Sequence, residues 1–404
     1  MNYKLGIILL EPKAVQGGTS TFSETMRDYL SSTQLDNDVK LILNTADRNC
    51  LKRSKDKEII YLNLRYRDNI CVILYRFISN KLKNILKPNH KPTLFETYSE
   101  VISDKLRKTG CSLFWFVTPP PFVVNLASVS PIYNLAHLEF PWISEFARNN
   151  EWQSREEYFR LLIEKSYKII FTDSHHAEIA RQHYNISENK ILIKSLPMPT
   201  INSDLSQNAL DATLSRFDLL GTPYFIYPAN FWEHKNHHFL IEIVVKIMQK
   251  NSRLKLIFTG SDPSNYLKYI AKSIEECDYP DRIKILNFVN RNELIQLMKG
   301  SKSVVFPSLI TPDSIPELEA KYLKVPFIKG TFKYKSHYIE NNSISIPFSR
   351  RDLWVEILQN ILNEELPREL NFEGKNVYPR EYFHEIREIA QQFTNGYFSH
   401  PPKH

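Results

Sequence analysis

A lysine at the end of a polar loop, just ahead of a helix, is a place where an anion can be held. This chain has one in Tyr224–His238, which reads YFIYPANFWEHKNHH. Tyr224–Tyr227 is a short apolar run of strand type, Pro228 ends it, Ala229–Asn236 is polar, and a helical pattern runs from His237 to about Lys250. Strand, loop and helix in that order present backbone N–H groups and the positive end of a helix dipole to a ligand, and Lys235 adds a full charge there. A lysine and histidine pair at that position suits a diphosphate. The chain's one adjacent glycine pair, Gly17-Gly18, also falls between a strand pattern, Lys4–Leu10, and a helix pattern that Ser20 can cap. Such glycines either permit a positive φ in a turn or let the backbone come close to a ligand. Asp36-Asn37-Asp38 has a spacing used to hold metals, but it lies in a turn before a strand with no third ligand nearby. It reads as turn chemistry, and no metal site is expected.

The elements that must position these residues alternate between strand and helix. In the second half, strand patterns at Leu254–Thr259, Ile283–Leu286 and Ser303–Pro307 are separated by helix patterns at Tyr266–Glu276 and Asn292–Gly300. The first half has strands at Val39–Asn44, Ile59–Leu64, Leu113–Val117 and Lys168–Thr172. Such alternation argues for parallel, doubly wound sheets. At 404 residues the chain is too long for one typical domain. The expected division is an N-terminal Rossmann-like domain over 1–199, a polar linker over 200–222, a second Rossmann-like domain over 223–378, and a final segment, 379–404, whose helix packs back on the first domain.

Composition excludes several classes. Only 10 glycines are present, with no G-x-G-x-x-G and no Walker A, so dehydrogenase and P-loop modes of nucleotide binding are disfavoured. Cys50, Cys71, Cys111 and Cys277 are scattered and form no C-x-x-C, which fits a reducing cytosol. No apolar run approaches the roughly 20 residues needed to cross a bilayer. The apolar start, MNYKLGIILLEPK, lacks a small-residue cleavage site and reads as a first buried strand. The net charge of +7 suits an anionic ligand or an anionic membrane surface. Ile70–Lys87 bears on the second. Ile70, Ile73, Leu74, Phe77, Ile78, Ile85 and Leu86 recur at helical spacing, Arg76, Lys83 and Lys87 cluster on another side, and Asp68 is the one acid between Arg65 and Lys91. A basic amphipathic helix of this kind either packs with its charged face in water or lies on an anionic membrane.

The string PANFWEHKNH resembles the donor-binding loop of retaining glycosyltransferases of the GT-B fold, family-4 or "group 1" type, and the resemblance extends over nearly the whole chain. It implies an α/β fold of two Rossmann-like domains facing across a cleft. The Gly17-Gly18 pair matches the family's glycine pair near the donor diphosphate. Ile132–Pro141 is similar to the family's H-D-L-x-H-x-x-x-P segment: His137, Phe140 and Pro141 match, but Tyr133 and Asn134 stand in place of the first His and the Asp. His137 either reaches the donor sugar or makes a structural hydrogen bond. In Ser308–Ala320 the family carries E-x(7)-E. Glu319 matches the second acid, which grips the ribose hydroxyls, whereas the first acid is replaced by Thr311 and the family's following glycine by Ser314. Asp313 and Glu317 are nearby carboxylates out of register.

The resemblance implies catalytic roles for His137 and Lys235. It implies donor contacts from Gly17, Gly18, Asn230, Lys235, Phe288, Val289, Ser314, Pro316, Glu317, Leu318 and Glu319. The expected function is transfer of a sugar from a nucleotide diphosphate sugar to a glycan or lipid-linked acceptor, in surface polysaccharide synthesis, without metal or other cofactor and without nucleic acid. The expected location is the cytoplasm, with peripheral membrane contact through Ile70–Lys87. Thr311 and Tyr133 motivate a rival, a catalytically impaired paralogue that binds glycan or partners an active enzyme. A nucleotide-sugar epimerase, which can share this fold, is the second rival.

Overall fold

A computed structural model describes residues 4–10, 18–44, 59–83, 93–310, 314–332, 338–340, 343–365 and 377–399. Gly17, Thr311 and Asp313 lie outside the described residues.

The first seven strands are β1 (Leu5–Leu9), β2 (Val39–Asn44), β3 (Ile59–Leu62), β4 (Leu113–Phe116), β5 (Ser128–Ile132), β6 (Lys168–Phe171) and β7 (Ile191–Ile193). They form one parallel sheet in the order β3-β2-β1-β4-β5-β6-β7. The next seven are β8 (Tyr224–Pro228), β9 (Lys255–Thr259), β10 (Ile283–Ile285), β11 (Ser303–Phe306), β12 (Phe327–Thr331), β13 (Tyr338–Glu340) and β14 (Ser343–Pro347). Their order is β10-β9-β8-β11-β12-β14-β13, parallel except for the β13–β14 pair. The inner strands read LGIIL, LFWF and YFIYP, buried at every position. A parallel strand covered by helices on both faces needs such an unbroken apolar run.

Fourteen helices are seen among the described residues. In the first half they are α1 (Gly18–Ser32), α2 (Ile70–Lys83), α3 (Leu94–Arg107), α4 (Ala136–Glu139), α5 (Ser144–Ala147), α6 (Glu151–Lys165) and α7 (Ser174–Tyr184). They continue with α8 (Gln207–Arg216), α9 (His237–Met248), α10 (Leu267–Glu275), α11 (Arg291–Gly300), α12 (Ile315–Tyr322), α13 (Arg351–Leu362) and α14 (Pro379–Ser399). The stretch expected as linker, 200–222, holds α8, whose Leu210 and Leu214 are buried in the core of the second sheet. Ser206 caps it, accepting from Ala209 N–H at 3.3 Å. Helix α14 contributes Tyr382, Phe383, Ile386, Ile389 and Ala390 to the core of the first sheet, with Tyr382 edge-on to Phe22 at 5.7 Å. The two passages between the lobes run side by side, Met198 N–H donating to Val377 O at 2.7 Å.

Among the parallel strands of each sheet the order reverses once, between β1 and β4 and between β8 and β11. Loops leaving the carboxyl ends of strands part at such a point and open a crevice, the usual ligand site of doubly wound folds. Asp36 and Asp38, the D-x-D pair, are ion-paired with Arg387 of α14.

The first domain also holds a buried imidazolium. Asp173 caps α7, accepting from His176 N–H at 2.8 Å, and takes His176 Nδ1 at 2.7 Å, while Nε2 lies 3.2 Å from Glu139. Burial alone would push the ring down, but the hydrogen bonds to Asp173 and Glu139 outweigh it and carry the pKa up to about 9. A raised folded-state pKa gives stability that is complete below the unfolded value of about 6.5 and is lost as pH rises through the folded value. Denaturant unfolding should therefore show the protein losing stability between about pH 6.5 and 9. His176→Gln should be less stable at the acid end, and the difference between the two proteins should close across that window.

Candidate functional site

Strand β8 ends at Pro228, and the chain turns across the end of β9. There Gly260 has φ +146°, and a Cβ on it would stand 2.3 Å from Ala229 O. Only glycine fits this approach. Asn230 fastens the same crossing, its Oδ1 accepting from Ser261 N–H at 2.9 Å. The loop then makes a 3-10 turn over Glu233–Lys235, closed by Asn236 in the left-handed region at φ +57°, and α9 begins. Tyr227 Oη donates to Lys235 O at 2.8 Å, so the turn is held from below.

The Lys235 ammonium points across the switch point to β11. It donates to Ser308 Oγ at 3.4 Å and lies 5.0 Å from the centre of the Phe306 ring. Among the described residues no carboxylate lies within ion-pair distance of it. Burial pushes its pKa down to about 8, with the charge of Glu145 opposing. A half-desolvated cation with neutral partners has a favourable interaction in reserve for an incoming anion. Its neighbours are otherwise engaged. His237 is fully buried, stacked on Phe231 at 4.8 Å, and burial pushes its pKa down to about 3, so it is a neutral packing group. His234 Nδ1 donates to Glu145 at 2.7 and 2.8 Å, and Glu233 accepts from Arg148 at 3.1 Å, both contacts crossing to the first domain.

The second wall is α12. Ser314 caps it, its Oγ accepting from Glu317 N–H at 3.4 Å, and Pro316 sits in the first turn. Ile315, the first residue of α12, packs against Gly18, the first residue of α1; a Cβ on Gly18 would be 3.4 Å from Ile315 Cγ1. Two helix N-termini thus meet in the cleft, each carrying partial positive charge and orphan N–H groups. Ile315 is buried in the core of the first domain and Leu318 packs against that core.

The carboxylates of α12 depart from the sequence expectation. Glu317 bonds Lys329 Nζ at 2.7 Å and also accepts from Ser343 Oγ, so its side chain is engaged within the second domain. Glu319, 1% exposed, is ion-paired with Arg291, which also donates to Thr21 Oγ1 of α1 at 3.5 Å. Burial pushes the Glu319 carboxyl up and Arg291 opposes it. The acid expected to grip the ribose therefore has a resident cation. Sequence reading missed Arg291, although it stands two residues beyond Phe288-Val289. Of that pair Val289 is buried, whereas Phe288 is 52% exposed and leaves a ring for a base to stack on.

His137 is 0% exposed. Its ring stacks on Phe159 at 5.3 Å and Nε2 lies 3.4 Å from Glu156, itself bonded to His183 and Tyr184. Burial lowers its pKa, with Glu156 opposing. Of the two readings open in the sequence, this geometry supports the structural one. Tyr133 packs at the edge of the first core with its Oη buried and, among the described residues, unpartnered.

Two doubly wound domains with facing switch points are the GT-B architecture of glycosyltransferases. Solved structures of that class superpose along the chain. A glycosyltransferase from Rickettsia africae ESF-5 aligns with TM-score 0.61 and 13% identity over 97% of this chain and 99% of its own. WaaG, a glycosyltransferase involved in lipopolysaccharide biosynthesis, aligns with TM-score 0.60 and 12% identity over 89% of this chain and 91% of its own. Anabaena HepE in complex with UDP and glucose aligns with TM-score 0.63 and 11% identity over 96% of this chain and 99% of its own. Residues 217–377 match the family described as Glycosyl transferases group 1. A curated relative, the O-antigen chain mannosyltransferase RfbU of Salmonella typhimurium LT2, is 25% identical over 144 residues, 36% of this chain and 39% of the relative. Residues 217–377 are thus similar to the group 1 glycosyltransferases, and the whole chain shares their GT-B fold.

Replacing Lys235 by Ala should weaken binding of a nucleoside diphosphate by the worth of one charge-assisted hydrogen bond, about 1.5–3 kcal/mol, measured by calorimetry, while leaving the unfolding transition in place. Arg291→Met should strand the buried Glu319 and lower stability by roughly 3 kcal/mol. In the double variant Arg291→Met/Glu319→Met most of that loss should be recovered, because both charges are gone; denaturant titration reads both.

Proposed function

We propose that the protein moves a sugar from a nucleotide diphosphate sugar to a glycan or lipid-linked acceptor of a cell-surface polymer, with retention of configuration and without a metal. The observation that carries this reading is Lys235, a desolvated cation with neutral partners at the β8–β11 switch point. Departure of the sugar leaves charge on a diphosphate, and donors fixed in advance where that charge grows are the largest common source of rate enhancement. Lys235 and the N-termini of α1 and α12 would supply them. Phe288 would stack on the nucleobase, and Glu319 with Arg291 would meet the ribose, the arginine moving aside or donating in its turn. The relatives' work on O-antigen and lipopolysaccharide supports the acceptor class.

Helix α2 supports a membrane-facing site of action in the cytoplasm. Among its apolar residues whose side chains are described, only Ile73 is fully buried; Ile70, Leu74 and Ile78, at i, i+4 and i+8, are 43%, 42% and 57% exposed, with Tyr75 beside them at 75%. Arg76 pairs with Asp104 of α3 at 2.6 Å, which orients that face outward. The sequence continues with Lys81, Lys83 and Lys87. No helix among the described residues is long and apolar enough to cross a membrane. Contact would be peripheral, an apolar stripe in the headgroup region beside basic residues.

A second reading, an impaired paralogue that binds donor without turnover, is favoured by the burial of His137 and the tyrosine at position 133. Single-turnover transfer from a panel of nucleotide sugars, with lipid-linked saccharide as acceptor, separates the two. Transfer that survives EDTA is the expected result. Binding without transfer selects the second reading, and loss in EDTA restored by Mn²⁺ rejects the metal-free mechanism. In co-sedimentation with vesicles containing anionic lipid, the protein should bind, and Leu74→Glu/Ile78→Glu should release it. Equal binding of both proteins would remove α2 from the membrane.

A further inference from the structure

We infer that Glu145, on α5 of the first domain, is a positioning residue that sets Lys235 through His234. The inference rests on the reading of Lys235 as the diphosphate's cation.

Three consecutive residues make the 3-10 turn, and each is committed differently. Glu233 accepts from Arg148 of the first domain at 3.1 Å. His234 gives Glu145 its ring Nδ1–H, at 2.7 and 2.8 Å, and its backbone N–H, at 3.4 Å. Lys235 is the third, and it reaches Ser308. Glu145 and His234 are 13% and 15% exposed, so the pair is sealed between the lobes. A carboxylate only accepts, which places the imidazole proton on Nδ1 and makes Glu145 a two-point clamp on one residue. Burial and the charge of Lys235 keep the His234 ring neutral. Burial raises the Glu145 carboxyl, but the hydrogen bonds from His234 bring it below the usual range, so the clamp is anionic. That charge lies close enough to Lys235 to favour its ammonium form.

The turn is gripped from the other side as well. Leu309 N–H donates to His234 O at 2.8 Å, and Ser308, the partner of Lys235, also reaches that oxygen at 3.5 Å. Ile310, on the segment leading into α12, is buried with Ile143 and Phe146 around α5. Helix α5, the lysine turn and the approach to α12 therefore interlock, and the cation of the donor domain takes its position from the acceptor domain. Interdomain glue alone would have no need to fasten both a side chain and a backbone N–H one residue before the cation.

The test is a double-mutant cycle on the full chain, with UDP, GDP and the corresponding monophosphates titrated into wild type, Glu145→Gln, Lys235→Ala and the pair. The expected result is a roughly tenfold weaker diphosphate in Glu145→Gln, little change for the monophosphate, and no added loss in the Lys235→Ala background. His234→Asn, which cuts the link from the other end, should reproduce that diphosphate-selective loss and keeps the test available should Glu145→Gln fail to fold. Equal losses for mono- and diphosphate, or additive losses in the pair, would reduce Glu145 to a structural contact and overturn the inference. If Lys235→Ala weakens the diphosphate and neither Glu145→Gln nor His234→Asn does, the inference falls alone. If Lys235→Ala leaves diphosphate affinity unchanged, the reading of Lys235 falls and the inference with it.

Discussion

An ammonium partly withdrawn from water and given, among the described residues, a hydroxyl and an aromatic ring is held at a cost, and the surrounding structure is arranged to sustain it. The Lys235 turn is anchored from beneath by Tyr227, from the side by the Gly260 crossing, and from the opposite lobe through His234. The first two anchors are a neutral hydrogen bond and a packing contact, and in the third the carboxylate of Glu145 is spent on the imidazole next door to the lysine. A carboxylate directly on Lys235 would satisfy the lysine and leave nothing for a ligand. One residue away, the acid stabilises the charge and keeps the site open.

The same logic governs the lobes. Their junction is apolar where α12 enters the first core through Ile315 and Leu318, and ionic where α5 meets the donor loop. Helix α14 returns the chain to the first sheet after the second is complete, so the first domain's core is finished by the last described segment.

At the nucleoside end, Glu319 and Arg291 are each other's partners, and Arg291 also reaches Thr21 of α1. One guanidinium thereby ties three elements, α11, α12 and α1. A buried acid without that partner would be costly.

Much of this was legible in one dimension. The apolar runs and their alternation with helix patterns determined two parallel sheets, because a strand buried on both faces must read that way. The loop chemistry of PANFWEHKNH determined that Lys235 stands before a helix at the end of a strand. Tertiary structure alone decided which charges are free. Glu317 and Glu319 look alike in sequence, two residues apart on one helix, yet one faces Lys329 and the other Arg291. His137 matches a motif, but its burial against Phe159 and Glu156 depends on α6 and α7, which lie further along the chain. Glu145 carries no local signal at all, since its role exists only across the cleft, 89 residues from His234. Periodicity records what a residue must do for its own element. Pairing between charges is settled by which elements meet, and the packing of the two domains decides that.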